Sequence, residues 1–141
     1  MIAQAARFQP KHADAVVLCV DDDMAILDVV KSILERHGFS VLTATNWRHA
    51  LDTFKSNSID LVMLDYEMPD VKGHEVALWI RCLNPDVPII LHSGSPDIPQ
   101  SAIRAADAFV RKGAETYVLV AAISNLIMKS RVNGVRAEGR A

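Results

Sequence analysis

The sequence has 141 residues, of which 50% are hydrophobic and 23% are charged. This length predicts one domain, and the apolar fraction suffices for one core and is too high for a disordered chain. The formal net charge of −2 argues against a dedicated nucleic-acid-binding module, which needs a basic face. No apolar run reaches the roughly 18–20 residues that a membrane-spanning helix requires, so no membrane partner is expected.

Two cysteines, Cys19 and Cys82, are too few for a disulfide framework and lack the spacing of a zinc site. Both are expected to be small buried hydrophobes in a reducing compartment. Residues 1–13 contain no apolar segment of the kind that signal peptides carry. The expected location is therefore the cytoplasm.

Short apolar runs alternate with longer amphipathic segments along the chain. The runs are brief and almost continuously apolar, which predicts strands buried on both faces of a parallel sheet, at residues 16–20, 39–45, 61–64, 89–91 and 108–110. The amphipathic segments are predicted to be helices, at residues 26–34, 47–56, 73–83, 99–106 and 115–130. Since strand–helix–strand connections are right-handed, five β–α units predict one α/β sheet with helices on both faces.

The predicted domain occupies residues 15–131, between tails at residues 1–14 and 132–141. With tails of this length, no second, output domain is expected. Within the domain, Gly38 is expected to end the first helix in a left-handed conformation. Ile103 is expected to be the inward residue of the short fourth helix.

Polar side chains follow four of the predicted strands at the point where each strand ends. They are Asp21, Asp22 and Asp23 after the first strand, Asp65 after the third, Ser93 after the fourth and Lys112 after the fifth. Ligands of open α/β sheets bind beyond the carboxyl ends of the strands. If these four strands are neighbours in the sheet, their polar groups converge on one small site.

Carboxylates crowded in this way repel each other, and a divalent cation removes the conflict. Ligands that are all oxygen suit Mg²⁺ or Mn²⁺ rather than zinc or copper. Asp65 is then placed to act as a nucleophile toward a phosphoryl group, which would give an aspartyl phosphate. The metal, Lys112, the Ser93 hydroxyl and the Gly94 backbone N–H could offset the charge on the phosphoryl oxygens.

The residues at these positions resemble a known family, the receiver domain of response regulators in two-component signalling. The matching segments, in chain order, are VLCVDDD at 17–23, LVMLDYEMPDVKG at 61–73, IILHSG at 89–94 and AFVRK at 108–112. The resemblance covers roughly residues 15–130. It implies a doubly wound (βα)5 flavodoxin-like fold with strand order 2-1-3-4-5.

The resemblance also assigns roles to residues of this chain. It implies phosphorylation of Asp65 and a phosphoryl clamp at Lys112, with the phosphoryl group contacted at Gly94. For Mg²⁺ it implies a ligand set of Asp22, Asp65, the backbone carbonyl of Glu67 and, through water, Asp21. It makes Ser93 the switch hydroxyl and Phe109 the switch aromatic residue.

The function expected from these roles is a stand-alone, phosphorylation-dependent switch. A sensor histidine kinase or a phosphotransfer protein would donate the phosphoryl group, and the output would be protein binding or a phosphorelay. The chemistry would be self-catalysed, so the chain is not expected to be an enzyme. Two alternatives are a phosphate-independent adaptor and, less favoured, a Mg²⁺-dependent phosphatase of the haloacid dehalogenase type. The phosphatases place the nucleophile after the first strand, whereas Asp65 follows the third.

Three departures from the family pattern affect the expected site. Gly113 follows Lys112 where relatives usually have proline, so the loop after the fifth strand is expected to be built differently. The stretch between Ser93 and Lys112 is short, which predicts an abbreviated fourth helix. Glu67 stands two residues after Asp65, where it can reach the water that would hydrolyse an aspartyl phosphate. It is expected to tune dephosphorylation, in a direction that the sequence does not give.

Several of these residues also have plainer interpretations. Asp23 is equally explained as the N-cap of the first helix, and Phe109 as a core residue. Four apolar residues fall outside the inward faces of the third and last helices: Leu78, Trp79, Tyr117 and Val118. They are predicted to be exposed and to bind a partner protein or a second copy of the chain, unless rotation of the helices buries them.

Overall fold

The computed structural model describes residues 14–139, with side chains up to residue 134, and it contains a five-stranded parallel sheet. Its strands are β1 (Val16–Val20), β2 (Ser40–Ala44), β3 (Leu61–Asp65), β4 (Ile89–Ser93) and β5 (Ala108–Arg111). Its helices are α1 (Met24–Arg36), α2 (Trp47–Ser56), α3 (Gly73–Leu83), α4 (Gln100–Arg104) and α5 (Thr116–Gly139). The spatial order β2-β1-β3-β4-β5 confirms the doubly wound fold.

Two apolar layers lie on opposite faces of the sheet. Alternate residues of β1 enter different layers: Val17 and Cys19 pack beneath α1 and α5, whereas Leu18 and Val20 pack beneath α2 and α3. Every residue of the central strand β3 is buried. This double burial explains why the strand sequences are almost continuously apolar.

The ends of α1 follow the chemistry that the sequence indicated. The Asp23 carboxylate accepts the backbone N–H groups of Ala25 at 3.0 Å and Ile26 at 3.4 Å, which confirms the predicted N-cap. After the helix, Gly38 has φ of +90°, a left-handed conformation that glycine adopts without steric cost. The chain then turns directly into β2, so its first strand residue pairs with the start of β1.

The fourth helix is short, as predicted, but its inward residue is not the expected one. Helix α4 spans only Gln100–Arg104, and Ala102 is fully buried while Ile103 is 36% exposed. Successive helical residues point about 100° apart, so only one position of such a short helix faces the sheet. The small Ala102 occupies that position, and the prediction for Ile103 is wrong.

The last helix is longer than predicted. Helix α5 has 24 residues, about 36 Å, and it continues through the segment 132–141 as far as Gly139. Gly134 lies within it, since a glycine weakens a helix by only about 1 kcal/mol and does not have to end it. None of the helices between residues 14 and 139 has the length and apolar character that crossing a bilayer demands. Residues 1–13, most of the predicted N-terminal tail, lie outside the described residues.

The two cysteines differ in environment. Cys19 is buried in β1, as predicted, whereas Cys82 is exposed on α3. The prediction for Cys82 is wrong because Val76, Ala77 and Ile80 form the buried face of α3. Position 82 follows Ile80 by about 200° of rotation and so faces away from the sheet.

Candidate functional site

The carboxyl edge of the sheet brings three aspartates and one lysine together. One carboxylate oxygen from each of Asp21, Asp22 and Asp65 lies within 4.8 Å of the other two. Lys112 Nζ lies 2.8 Å from Oδ2 of Asp21 and 3.1 Å from Oδ1 of Asp65. The cause is topological: β1 pairs with β3, with Val20 opposite Leu64, so the residues that follow emerge side by side.

The backbone holds the two buried carboxylates in place. Oδ1 of Asp21 accepts the N–H of Asp23 at 2.9 Å, and Oδ1 of Asp65 accepts the N–H of Glu67 at 3.1 Å. Both hydrogen bonds join a carboxylate to the residue two positions later, a local turn that tethers the side chain to its own loop. In Asp21 the second oxygen, Oδ2, pairs with Lys112, whereas in Asp65 the same Oδ1 contacts both the backbone N–H and Lys112.

Burial and mutual repulsion dominate the electrostatics of this cluster. Burial, and then the negative charge of Asp21, raise the pKa of Asp65 to about 7, although Lys112 opposes the shift. Burial lowers the pKa of Lys112, but the two carboxylates outweigh it and the net direction is upward. The site thus holds more negative charge than its lysine neutralises.

The cluster fits a hard divalent cation. Its donors are all carboxylate oxygens, which suits Mg²⁺ or Mn²⁺. Asp22 is exposed, so an ion can reach the cluster from solvent. Asp21 is already ion-paired with Lys112, which is compatible with the water-mediated role expected for it. The ligand set implied by the resemblance remains a prediction.

Ser93 and Phe109 lie on the neighbouring strands β4 and β5, Ser93 at the carboxyl end of its strand and Phe109 opposite Leu91. Ser93 is fully buried at the end of β4, its Oγ accepts the N–H of Ser95 at 3.1 Å, and its carbonyl accepts the N–H of Lys112 at 2.9 Å. Phe109 on β5 is 37% exposed, so its interpretation as a core residue is wrong. Their roles in switching remain predictions.

The two glycines beside Lys112 have different structural roles. Gly113 has φ of +87°, which favours glycine, and no cis peptide bond occurs between residues 14 and 139. The loop after β5 is thus built on a left-handed glycine. At Gly94 an added Cβ would meet only Cβ of Lys112, at 3.9 Å, so space alone does not require glycine there.

Sequence reasoning assigned no role to Gly73, the first residue of α3. A Cβ at this position would overlap the backbone carbonyl oxygen of Asp65 and lie 3.0 Å from Cα of Tyr66. Its N–H donates to the carbonyl of Tyr66 at 3.0 Å. Helix α3 therefore begins in direct contact with the backbone that carries Asp65. The glycine at the helix start was the available signal.

Sequence reasoning also missed the partner of Glu67. Its Oε2 lies 2.8 Å from Nζ of Lys72, five residues later in the β3–α3 loop. Charged residues pair predictably at three or four positions apart on a helix, but a loop has no such periodicity. The sequence therefore gave no signal for this ion pair.

All four residues predicted to form partner surfaces are exposed: Leu78, Trp79, Tyr117 and Val118. The alternative that helix rotation buries them is wrong. Trp79 packs against Trp47 of α2, with ring centroids 5.1 Å apart, and the Arg48 guanidinium lies 5.0 Å from the Trp47 ring centroid. Binding of a partner at these residues remains a prediction.

Comparison with known protein sequences identifies the family. The response regulator receiver domain matches residues 17–124 of the chain. The response regulator SaeR of Staphylococcus aureus is 30% identical over 118 residues, which cover 82% of this chain and 51% of SaeR. The chain therefore spans about half the length of the curated relatives that it matches.

Solved structures agree with this match. A receiver domain protein from Clostridium thermocellum has a TM-score of 0.78 and 31% identity, covering 84% of this chain and 98% of that one. The response regulator TrrA from Thermotoga maritima, solved in complex with Mg²⁺-BeF, has a TM-score of 0.76 and 35% identity, covering 79% and 98%. Fold, sequence and the arrangement at the carboxyl edge lead to one conclusion: the chain belongs to the response regulator receiver domain family.

Proposed function

We propose that this chain is a phosphorylation-dependent switch whose Asp65 accepts a phosphoryl group in a Mg²⁺-dependent reaction. The donor is a phosphohistidine on a sensor kinase or a phosphotransfer protein. The observation that carries the proposal is the convergence of Asp21, Asp22 and Lys112 on the buried Asp65. Structural carboxylates are usually neutralised by their partners, whereas this cluster keeps excess negative charge.

The transfer is a displacement at phosphorus. An oxygen of the Asp65 carboxylate attacks, and the P–N bond to the donor's histidine breaks with its electron pair left on the imidazole. Lys112, within ion-pair distance of Asp65, neutralises charge on the phosphoryl oxygens, and the Ser93 hydroxyl and Gly94 N–H donate hydrogen bonds to them.

Asp22, Asp65 and the Glu67 carbonyl would hold the metal, with Asp21 acting through water. When bound, Mg²⁺ supplies positive charge beside the transferring phosphoryl group. Mn²⁺ satisfies the same oxygen ligands and is expected to substitute.

The phosphoryl group would bias an equilibrium between two states of the β4–β5 region. Ser93 and Phe109 are the reporters: the hydroxyl turns toward the phosphoryl group, and the exposed aromatic ring follows it inward. The output is protein binding or onward phosphoryl transfer in the cytoplasm. The exposed pairs Leu78–Trp79 and Tyr117–Val118 are the proposed contact surfaces, and a second copy of the chain is one candidate partner.

The proposal is tested by intact-mass measurement after incubation with acetyl phosphate, with and without Mg²⁺. We expect the gain of one phosphoryl group that depends on the metal and is absent in the variant Asp65→Ala. No gain from acetyl phosphate, nor from a panel of phosphorylated histidine kinases, would contradict the proposal and favour the adaptor function. Rapid release of phosphate from ester substrates would favour the phosphatase instead.

A further inference from the structure

A charged pair lies on the β3–α3 loop, beside Asp65 but outside the carboxylate cluster. Lys72 Nζ lies 2.8 Å from Oε2 of Glu67, and the two side chains are 47% and 51% exposed. Ion pairs this exposed contribute little to stability. Such a pair can still set the orientation of a side chain, and that orientation affects the chemistry when the side chain lies beside a reacting group.

Lys72 is held in position by contacts on two sides. Its backbone N–H donates to Oε2 of Glu75 at 3.0 Å, as part of the cap at the start of α3. Its ammonium lies 5.6 Å from the ring centroid of Tyr66, a buried residue stacked on His74. The lysine thus places a positive charge on the α3 side of the loop, on a backbone anchored to the start of the helix.

The Glu67 carboxylate can lie either beside the phosphoryl acceptor Asp65 or beside the ammonium of Lys72. The Glu67 backbone N–H donates to Oδ1 of Asp65 at 3.1 Å, so its Cα stays close to the phosphoryl acceptor. The side chain nevertheless points to Lys72. In agreement, the side-chain charges that shift the pKa of Asp65 come from Asp21 and Lys112, while Glu67 acts on it through the backbone N–H.

We propose that Lys72 is a positioning residue that holds the Glu67 carboxylate away from phosphorylated Asp65 and so prolongs the phosphorylated state. This inference rests on the proposed function. In hydrolysis, a water oxygen attacks phosphorus and the bond from phosphorus to the Asp65 oxygen breaks, leaving its electron pair on that carboxylate. A released Glu67 carboxylate can accept a hydrogen bond from the attacking water, orient it and take its proton.

The test is the lifetime of the phosphorylated chain after acetyl phosphate is removed, followed by intact mass in Mg²⁺. We expect Lys72→Met to shorten the lifetime about two- to fivefold, the range that an exposed ion pair can supply. Lys72→Arg keeps the cation and is expected to retain most of the lifetime. Lys55→Met removes a charge from the exposed surface of α2 and is expected to change nothing.

The same substitution in an E67Q background separates positioning from a structural effect. If Lys72 acts through the Glu67 carboxylate, Lys72→Met has no further effect once Gln replaces Glu. An unchanged or longer lifetime in the Lys72→Met variant, or equal shortening in both backgrounds, overturns the inference. A protein that gains no phosphoryl group at all contradicts the proposed function instead, so the two failures are distinguishable.

Discussion

Aspartates at the two edges of one sheet have opposite roles. At the amino edge, Asp60 Oδ2 accepts the N–H of Val16 at 2.7 Å, and its own N–H donates to the Val16 carbonyl at 2.8 Å. Asp107 repeats the arrangement with Ile89, at 2.8 Å for both bonds. Each carboxylate thus closes the hydrogen-bond ladder where a strand begins.

At the carboxyl edge, carboxylates lie close to one another, and the backbone donors that they accept come from their own loops rather than from a strand. Asp21, Asp22 and Asp65 lie together, and the ammonium of Lys112 pairs with two of them, Asp21 and Asp65. Burial without sufficient neutralisation costs stability, and proteins retain such groups where chemistry needs them. The aspartates of the two edges differ in the groups that they contact. Substitutions at the amino edge should therefore lower stability alone, and substitutions at the carboxyl edge should lower the rate of phosphorylation.

The largest effect is expected from Gly73→Ala. The new methyl group would displace the backbone of Asp65 or the start of α3, which should cost about 3 kcal/mol of unfolding free energy and more than tenfold in phosphorylation rate. Urea denaturation and acetyl phosphate labelling measure the two effects. Gly94→Ala is the matched control for stability, since its methyl group meets only an ordinary contact and should cost less than about 1 kcal/mol of unfolding free energy. Equal losses of unfolding free energy at both glycines would contradict the steric argument.

Asp107→Ala tests the amino edge. It removes the acceptor for the Ile89 N–H and the partner of Arg81, whose Nη2 lies 2.7 Å from Oδ2. We expect a loss of about 2 kcal/mol in unfolding free energy with unchanged labelling of Asp65. Asp107→Asn keeps an acceptor oxygen and should lose less. Weaker labelling in a fully folded Asp107→Ala protein would break the distinction between the edges.

His92 tests the carboxyl edge through pH. Burial, and then Lys112, lower the pKa of His92 to about 4, although Asp21 opposes the shift, and β3–β4 pairing places His92 opposite Asp65. The unfolded chain therefore binds a proton near pH 6.5 that the folded chain resists until about pH 4, so stability falls as pH drops through this window. By pH 5, His92→Gln should remove a loss of about 2 kcal/mol in unfolding free energy, measured as the difference between the two denaturation profiles without added metal. If the stability of the two proteins falls in parallel as the pH drops, the loss is not due to His92.

Asp21→Asn is expected to have the smallest effect on stability, and of opposite sign. Asparagine keeps the acceptor for the Asp23 N–H while removing a charge that raises the pKa of Asp65. Without metal at pH 8, we expect the unfolding free energy to rise by about 1 kcal/mol and phosphorylation to slow at least tenfold. If Asp21→Asn lowered stability and left phosphorylation of Asp65 unchanged, Asp21 would have the structural role assigned to the amino-edge aspartates.

The sheet and the carboxylate cluster were predictable because both follow from local patterns. Double burial makes strands continuously apolar, and a parallel sheet gathers the residues after its strands at one edge. The cap at Asp23 and the turn at Gly38 are equally local, since each depends on one residue's side-chain or backbone chemistry.

Other features depend on contacts between distant segments. Arg81 and Asp107 are 26 positions apart, and nothing in either neighbourhood indicates their ion pair. The rotation of α4 that buries Ala102 instead of Ile103 is set by packing on the sheet, because one helical turn carries too few residues for a periodic signal. Predicting the overlap that a side chain at Gly73 would cause requires knowledge of where α3 begins relative to Asp65.

The pairing of Trp47 with Trp79 gives the protein an intrinsic optical reporter. These are the two tryptophans of the sequence, so its indole fluorescence arises entirely from the face formed by α2 and α3. Trp79 is exposed, and a soluble quencher can reach it. A partner bound over Leu78 and Trp79 would protect Trp79 from the quencher, whereas a partner bound at Tyr117 and Val118 would leave the quenching unchanged. Titration of a partner without any label can therefore distinguish which of the two surfaces it occupies.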